Sequence, residues 1–201
     1  MFTIFVVDDE PAIVKAMSRL LRTRGYDVRA FTCPQDFLVN HDSAVPGCAI
    51  FDVSMPGLNG LELQEAMTAG EFARPVIFMT GKGDIPTSVR AMKAGAIDFL
   101  TKPVSDQEIF GAITRAEKRD TDARRVQAER TSIQAKMATL TPREQQVMTH
   151  VVAGRLNKQI AGDLGTVEKT IKVHRSRVMG KLGVRTVADL VRLVGKAGSS
   201  G

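Results

Sequence analysis

The first half of the chain alternates between two hydrophobic rhythms. Short apolar runs fall at Ile4–Val7, Val28–Phe31, Cys48–Phe51, Val76–Met79 and Ile97–Leu100. Each is about a strand long and rich in β-branched or aromatic residues, as expected of strands buried on both faces. Between them the spacing changes to that of helices. In Pro11–Arg24, Ile13, Met17, Leu20 and Leu21 recur at i, i+4, i+7 and i+8, and Gly25 follows as a stop. Leu61, Leu63, Ala66 and Met67 do similar work in Leu61–Ala69, as do Val89 and Met92 in Pro86–Ala94, ahead of Gly95. Five strands alternating with helices predict right-handed βαβ units. The expected fold is α/β: a five-stranded, doubly wound parallel sheet covered on both faces.

From about Asp106 a long helical stretch follows, with Ile109, Ile113 and Ala116 turned to the sheet. From Glu117 to Arg130 the only bulky apolar residue is Val126, and neither Gly nor Pro interrupts. This reads as a last helix running on into a charged helical linker over 118–138. Val126, Ile133 and Met137, spaced 7 and 4 apart, give either a solvated linker face or the seam of a helix pair. Thr141-Pro142-Arg143-Glu144 is a capping box with Pro at the first helical position. It opens a helix that stops at Gly154. Asn157 is expected to cap a short helix to Leu164, Gly165 makes a turn, and Thr166 is expected to cap a third helix ending at Gly183. Thr186 with Asp189 predicts a fourth helix, to about Val194. The second part is thus a small all-α, four-helix domain. The expected boundaries are 1–117, the linker, 139–197, and a flexible tail at 198–201 within the small-residue stretch Gly195–Gly201.

Composition sharpens this picture in three ways. Hydrophobic residues are 43% and charged residues 25% of 201, which excludes a disordered chain. No apolar run approaches the roughly 20 residues of a membrane span, and no secretory signal precedes the first strand. The expectation is a cytoplasmic protein without a membrane partner. Its two cysteines, Cys33 and Cys48, stay as free thiols and are too few for a zinc site. The net charge of +6 is unevenly spread: residues 1–117 sum to −4 and residues 118–201 to +10. A basic second half is the electrostatic footprint of a nucleic-acid binder.

Candidate chemistry sits at the strand ends. The first strand ends in Asp8-Asp9 and the third in Asp52. The fourth ends in Thr80, and Lys102 follows the fifth. In open α/β sheets the ligand site lies beyond the carboxyl ends of the strands. Three carboxylates gathered there repel one another, and a hard divalent cation such as Mg²⁺ (or Mn²⁺) relieves that. A carboxylate beside such an ion and a lysine can attack a phosphoryl group, with the metal and lysine stabilising the transferring oxygens. Taken singly, Asp8-Asp9-Glu10-Pro11 could be a helix cap, Thr80 a turn cap and Lys102 a surface lysine. Their joint occurrence at successive strand ends favours the site.

These stretches resemble the receiver domain of bacterial response regulators. The resemblance rests on Val6-Val7-Asp8-Asp9-Glu10, Phe51-Asp52-Val53-Ser54-Met55-Pro56-Gly57, Met79-Thr80-Gly81 and Phe99-Leu100-Thr101-Lys102-Pro103, and covers about residues 2–117. It implies a flavodoxin-like strand order 2-1-3-4-5 and phosphorylation of Asp52 by a cognate histidine kinase. It implies a metal held by Asp9, Asp52 and the Ser54 backbone carbonyl, with Asp8 acting partly through water. Thr80 and Lys102 would contact phosphoryl oxygens, Phe99 would be an aromatic switch, and Lys102-Pro103 would be cis. The only catalysis implied is the transfer of a phosphoryl group to its own Asp52.

Asn157–Ser176 reads as helix, tight turn, helix: the helix-turn-helix layout, whose second helix enters the major groove. On that helix Lys169, Lys172, Val173 and Ser176 share one exposed face. A lysine can donate to guanine and a valine can touch a thymine methyl. Lys158, Arg175, Arg177 and Lys181 are expected at phosphates. Residues 138–196 resemble the LuxR/NarL/FixJ-type DNA-binding domain through Leu140-Thr141-Pro142-Arg143-Glu144, Gly154, Asn157-Lys158-Gln159-Ile160-Ala161, Thr170-Ile171-Lys172-Val173-His174-Arg175 and Lys181-Leu182-Gly183. Thr166 stands where the family often has Ser, and it joins Thr170 in the expected DNA-contacting set. Asp84-Ile85-Pro86 and Ala91-Met92-Lys93-Ala94-Gly95-Ala96 point to the FixJ-like branch. The implied partners are double-stranded promoter DNA, a second copy of the chain on phosphorylation, and RNA polymerase.

Two rivals remain at this stage. A hydrolase with an aspartyl nucleophile resembles a pattern with a second Asp two residues on, where this chain has Ser54. The other is a phosphorylation-independent adaptor whose basic end binds RNA or protein; that end lacks aromatic residues for stacking bases, which disfavours single-stranded RNA. Gly81-Lys82-Gly83 is too short for a phosphate-binding loop.

Overall fold

The computed structural model describes residues 2–68, 74–81 and 85–198. They divide into two compact units at the Ala123–Arg124 bond. In the first unit the strands β1 (Thr3–Val7), β2 (Asp27–Phe31), β3 (Gly47–Asp52), β4 (Val76–Thr80) and β5 (Asp98–Thr101) alternate with the helices α1 (Pro11–Thr23), α2 (Pro34–Asn40), α3 (Gly60–Thr68) and α4 (Ile85–Lys93). All pairings are parallel, in the order β2-β1-β3-β4-β5. Successive side chains of a strand point to opposite faces, so the buried runs feed two cores. Ile4, Val6, Ile50, Ile77 and Met79 pack with Leu21, Ile109 and Ile113. Phe5, Val7, Phe51 and Phe78 pack with Phe37, Leu63 and Ala91. Each of these buried side chains larger than alanine contributes roughly 1.5–3 kcal/mol.

The register aligns the strand ends. Val7 lies beside Phe51, Asp52 beside Met79 and Thr80 beside Thr101, so Asp8, Asp52, Thr80 and Lys102 emerge at one edge. Gly60 makes this edge possible: a Cβ there would stand 2.4 Å from the Asp52 carbonyl oxygen and 3.1 Å from the Phe78 ring. Lys102-Pro103 is cis.

The helix α2 has no counterpart in the hydrophobic pattern. It is 7 residues long, too short to show a period, and one aromatic anchor holds it: Phe37 packs edge-on against Phe5, Phe31 and Phe51. After β5, the expected last helix and linker form one helix, α5 (Asp106–Ala138). Its first part stays with the receiver-like unit past residue 117, where Asp120 is buried.

The second unit joins the end of α5 to α6 (Pro142–Val152), α7 (Asn157–Asp163), α8 (Glu168–Leu182) and α9 (Val187–Gly198). Its core gathers Leu140, Val147, Val151, Ile160, Ile171, Val178, Leu182 and Leu190. Met137 packs against this core and Ile133 is buried, whereas Val126 is exposed. Of those three residues Met137 therefore serves the unit's own core and Ile133 is buried outside it, and the unit begins before residue 139. Gly195–Gly198 continue α9; Ser199–Gly201 lie outside the described residues, as do Lys82, Gly83, Asp84 and Ala69.

Candidate functional site

At the strand-end edge, Lys102 Nζ donates to Asp8 Oδ2 and to Asp52 Oδ1, both at 2.6 Å. Asp8 and Thr80 are fully buried and Asp52 nearly so. The second oxygens are also held: Glu10 N–H donates to Asp8 Oδ1 at 3.0 Å and Ser54 N–H to Asp52 Oδ2 at 2.6 Å. Burial alone would lower the Lys102 ammonium, but its hydrogen bonds to Asp52 and Asp8 and their charges outweigh that and hold it above the ordinary lysine range. Phe99 is half-buried, its ring 6.3 Å from that of Phe78.

Three acids were expected to converge here. Two do, around the ammonium, while Asp9 is exposed beside them. Among the described residues no three acids, histidines or cysteines form a ready metal cluster. The donor chemistry still fits a hard cation: three carboxylates against one ammonium leave two formal negative charges, and all the side-chain donors are oxygens. The hydrophobic pattern carries no sign of Gly60, which fixes the approach of α3 to Asp52.

The second unit presents a different surface. Ile171, Val178 and Leu182 bury one face of α8, while Lys169, Lys172, Val173, Ser176 and Arg177 are exposed on it, as Lys158 is on α7. Thr166 and Thr170 are half-buried at the turn. Arg175 Nη1 donates to Asn157 Oδ1 at 3.1 Å, tying α7 to α8. Asn157 is therefore a tie and not the cap of α7; the cap position is Leu156, whose N–H donates to Gln159 Oε1. Thr166 likewise gives way to Val167 as the cap position of α8, with no side-chain hydrogen bond there. Gly180 does not break α8, and Gly183 ends it in the left-handed region. His174 is half-buried, with its Nδ1 enclosed, as a packing residue.

Among the residues expected at phosphates, Lys181 is also engaged within the fold. Its Nζ donates to Glu144 Oε2 at 2.7 Å and to the Thr139 carbonyl at 2.9 Å. Glu144 is only 2% exposed, and its carboxylate also accepts from Thr141 N–H within the capping box. The Lys181 hydrogen bond, followed by that from Thr141, holds Glu144 down to about 2. Lys181 thus neutralises an enclosed acid. A groove of about 480 Å³ between the end of α5 and α9 carries cations that are likewise paired, Lys196 with Glu129 and Arg192 with Asp189.

Comparison with known proteins agrees with this geometry. Residues 4–114 match the response regulator receiver domain, and residues 138–194 match the bacterial regulatory proteins of the luxR family. The chain is 42% identical to Nodulation protein W of Bradyrhizobium diazoefficiens, over 94% of this chain and 84% of that one. It is 40% identical to the transcriptional regulatory protein FixJ of the same organism, over 97% and 95%. Among solved structures, that of the response regulator StyR matches with a TM-score of 0.83 at 44% identity, covering 96% of this chain and 98% of that one.

Proposed function

The chain belongs to the response regulators, with a receiver domain and a luxR-family DNA-binding domain that regulates transcription, and on that premise we propose that phosphorylation of Asp52 by a histidine kinase controls it. The observation that carries this reading is the clamp of Lys102 on Asp8 and Asp52 at a strand edge shared with buried Thr80. An Asp52 oxygen attacks the phosphorus of a phosphohistidine on the kinase. The P–N bond breaks, its electron pair returns to the imidazole, which takes up a proton, and an acyl phosphate remains on Asp52. Lys102 exchanges Asp52 Oδ1 for a phosphoryl oxygen, and the Thr80 hydroxyl donates to another. Asp8, Asp9, Asp52 and the Ser54 carbonyl would hold a Mg²⁺ or Mn²⁺, which would supply positive charge against the transferring oxygens.

The movement of Thr80 leaves room for Phe99 to rotate inward. We assign the consequence to α4 and β5, where Ile85, Val89 and Met92 are exposed. Two copies meet there about a two-fold axis, and the paired output domains bind two promoter half-sites and engage RNA polymerase. Among the described residues no helix is long and apolar enough to cross a membrane.

Asp52→Asn tests the reading. It is expected to abolish the base-labile, acid-stable label that the wild type acquires from a phosphodonor. Labelling of the variant at the wild-type level would remove Asp52 from its role.

A further inference from the structure

The recognition helix carries one acid among its cations. Glu168 is its first residue, 47% exposed at the side chain, and its Oε1 lies 3.3 Å from Lys172 Nζ, one turn on. On α8 the cations are Lys169, Lys172, Arg175, Arg177 and Lys181. An acid on a helix that approaches phosphates weakens binding to any DNA. The local fold offers only a modest return, since an exposed i, i+4 pair stabilises a helix weakly. The cap position belongs to Val167, so the carboxylate does not cap its own helix.

What the pair does offer is a donor beside an acceptor at base-pair spacing. In the major groove guanine presents O6 and N7 as acceptors and cytosine presents its N4 amino group as a donor. O6 and N4 are partners in one Watson–Crick hydrogen bond, about 2.9 Å apart. An ammonium and a carboxylate 3.3 Å apart match that spacing: Lys172 donates to O6 and N7, and Glu168 accepts from N4. Both residues are on the N-terminal part of the helix, the part that meets base edges. We infer that Glu168 and Lys172 together read a single G·C base pair in each half-site, Glu168 on the cytosine and Lys172 on the guanine. This rests on the helix-turn-helix reading and adds Glu168 as a specificity-determining residue.

Reversing the pair to C·G sets the amino group against the ammonium and O6 against the carboxylate, so orientation is read as well as composition. Glu168→Gln makes a sharper prediction. A glutamine accepts from adenine N6 and donates to N7, while Lys172 can still donate to thymine O4. The preferred pair should become T·A, with adenine replacing the cytosine.

The test is selection of binding sites from random duplexes by the phosphorylated full-length chain, followed by affinities for sites differing only at the identified pair. The wild type is expected to favour G·C over C·G there by about tenfold. Glu168→Ala should lower that ratio severalfold, to what Lys172 alone supplies on guanine, while affinity for unrelated DNA rises, and Glu168→Gln should move the optimum to T·A. The ratio between sites is the readout, because removing an acid strengthens binding to all sequences alike. If both variants keep the wild-type ratios and differ only in overall affinity, Glu168 is a solvated partner of Lys172 and the inference falls while the DNA-binding reading stands. If the wild type selects no sequence at all, both fall.

Discussion

In the receiver the functional charges are drawn from residues 50 and 94 positions apart and turned inward onto one lysine. In the DNA-binding unit they fall between Lys158 and Arg177 and face solvent along two short helices. The difference follows from what each surface must do. A phosphoryl site needs a few groups held against reacting atoms to a fraction of an ångström. That takes strands whose register is fixed by two buried cores. A DNA-binding face needs charge at helical spacing, and one amphipathic helix supplies it. The receiver should therefore fail at single buried positions, while the output unit should tolerate change except where it imitates the receiver.

The largest effect that would sharpen this contrast is at Gly60. In Gly60→Ala the new Cβ meets the Asp52 carbonyl oxygen at 2.4 Å. That atom is backbone, so the end of β3 must shift. We expect a loss of roughly 1–3 kcal/mol in receiver stability from overpacking. The rate of labelling should fall roughly 10- to 100-fold from misplacement of the nucleophile. Urea unfolding followed through Tyr26, the only tyrosine and a receiver residue, measures the first, and initial labelling rates the second. A variant that labels at the wild-type rate would show that the site tolerates displacement.

The next effect probes the one place where the output unit behaves like the receiver. Glu144 is enclosed, paired to Lys181 and held down to about 2, against an ordinary value of 4.5. A lowered folded-state value means that the charged form stabilises the fold. The contribution is complete above about pH 4.5 and lost as pH falls toward 2. Glu144→Gln should therefore be less stable than wild type at pH 6 to 7, and the gap should close between pH 4.5 and 2. Urea unfolding at a series of pH values, read by helical circular dichroism, measures this. A gap that stays constant with pH would show that shape, and not charge, holds α6 to α8.

The same contrast explains what the sequence could reveal. The five strands were legible as short apolar stretches, unbroken at Ile4–Val7, Cys48–Phe51 and Val76–Met79 and interrupted by Arg29 in β2 and Asp98 in β5, and Asp8, Asp52, Thr80 and Lys102 were legible as their ends. The helix α2 was not, because its 7 residues are too few to show a period and it is held chiefly by Phe37, with Pro34 and Leu38 beside it. Gly60 was hidden because its role is a distance from the start of α3 to the backbone of β3. The internal partner of Lys181 was hidden because a basic helix looks uniform in one dimension. Only the fold brings Glu144, 37 residues earlier, beneath one of its lysines. Met137 kept its spacing but packs against the core of the second unit. Asp9 marks the opposite limit: adjacency in sequence to Asp8 did not carry it into the buried pair.

The smallest expected effect is at the edge of the receiver. Asp98 and Lys93 or Arg90 would make a natural exchange of charge across a two-fold interface through α4 and β5. In the structure, however, the Asp98 carboxylate is already engaged by Arg115 from α5 of the same chain, and it also accepts from the Phe99 N–H. Arg115 is 57% exposed at the side chain, so the pair is largely solvated and its net worth is about 0–1 kcal/mol. An intersubunit partner could gain Asp98 only by displacing Arg115, and exchanging one exposed pair for another changes little. The area that can drive association is apolar: Ile85, Val89 and Met92, all exposed on α4. Asp98→Asn should therefore leave receiver stability within about 1 kcal/mol of wild type and the dimer constant of the phosphorylated chain within about fivefold. Val89→Glu, which places a charge in the apolar patch, should hold the phosphorylated chain monomeric. Sedimentation equilibrium of both variants with a stable phosphoryl mimic separates the cases. If Asp98→Asn abolished the dimer while Val89→Glu preserved it, the contact would be one of charge, and the receiver's rim would carry the energy assigned here to its apolar helix face.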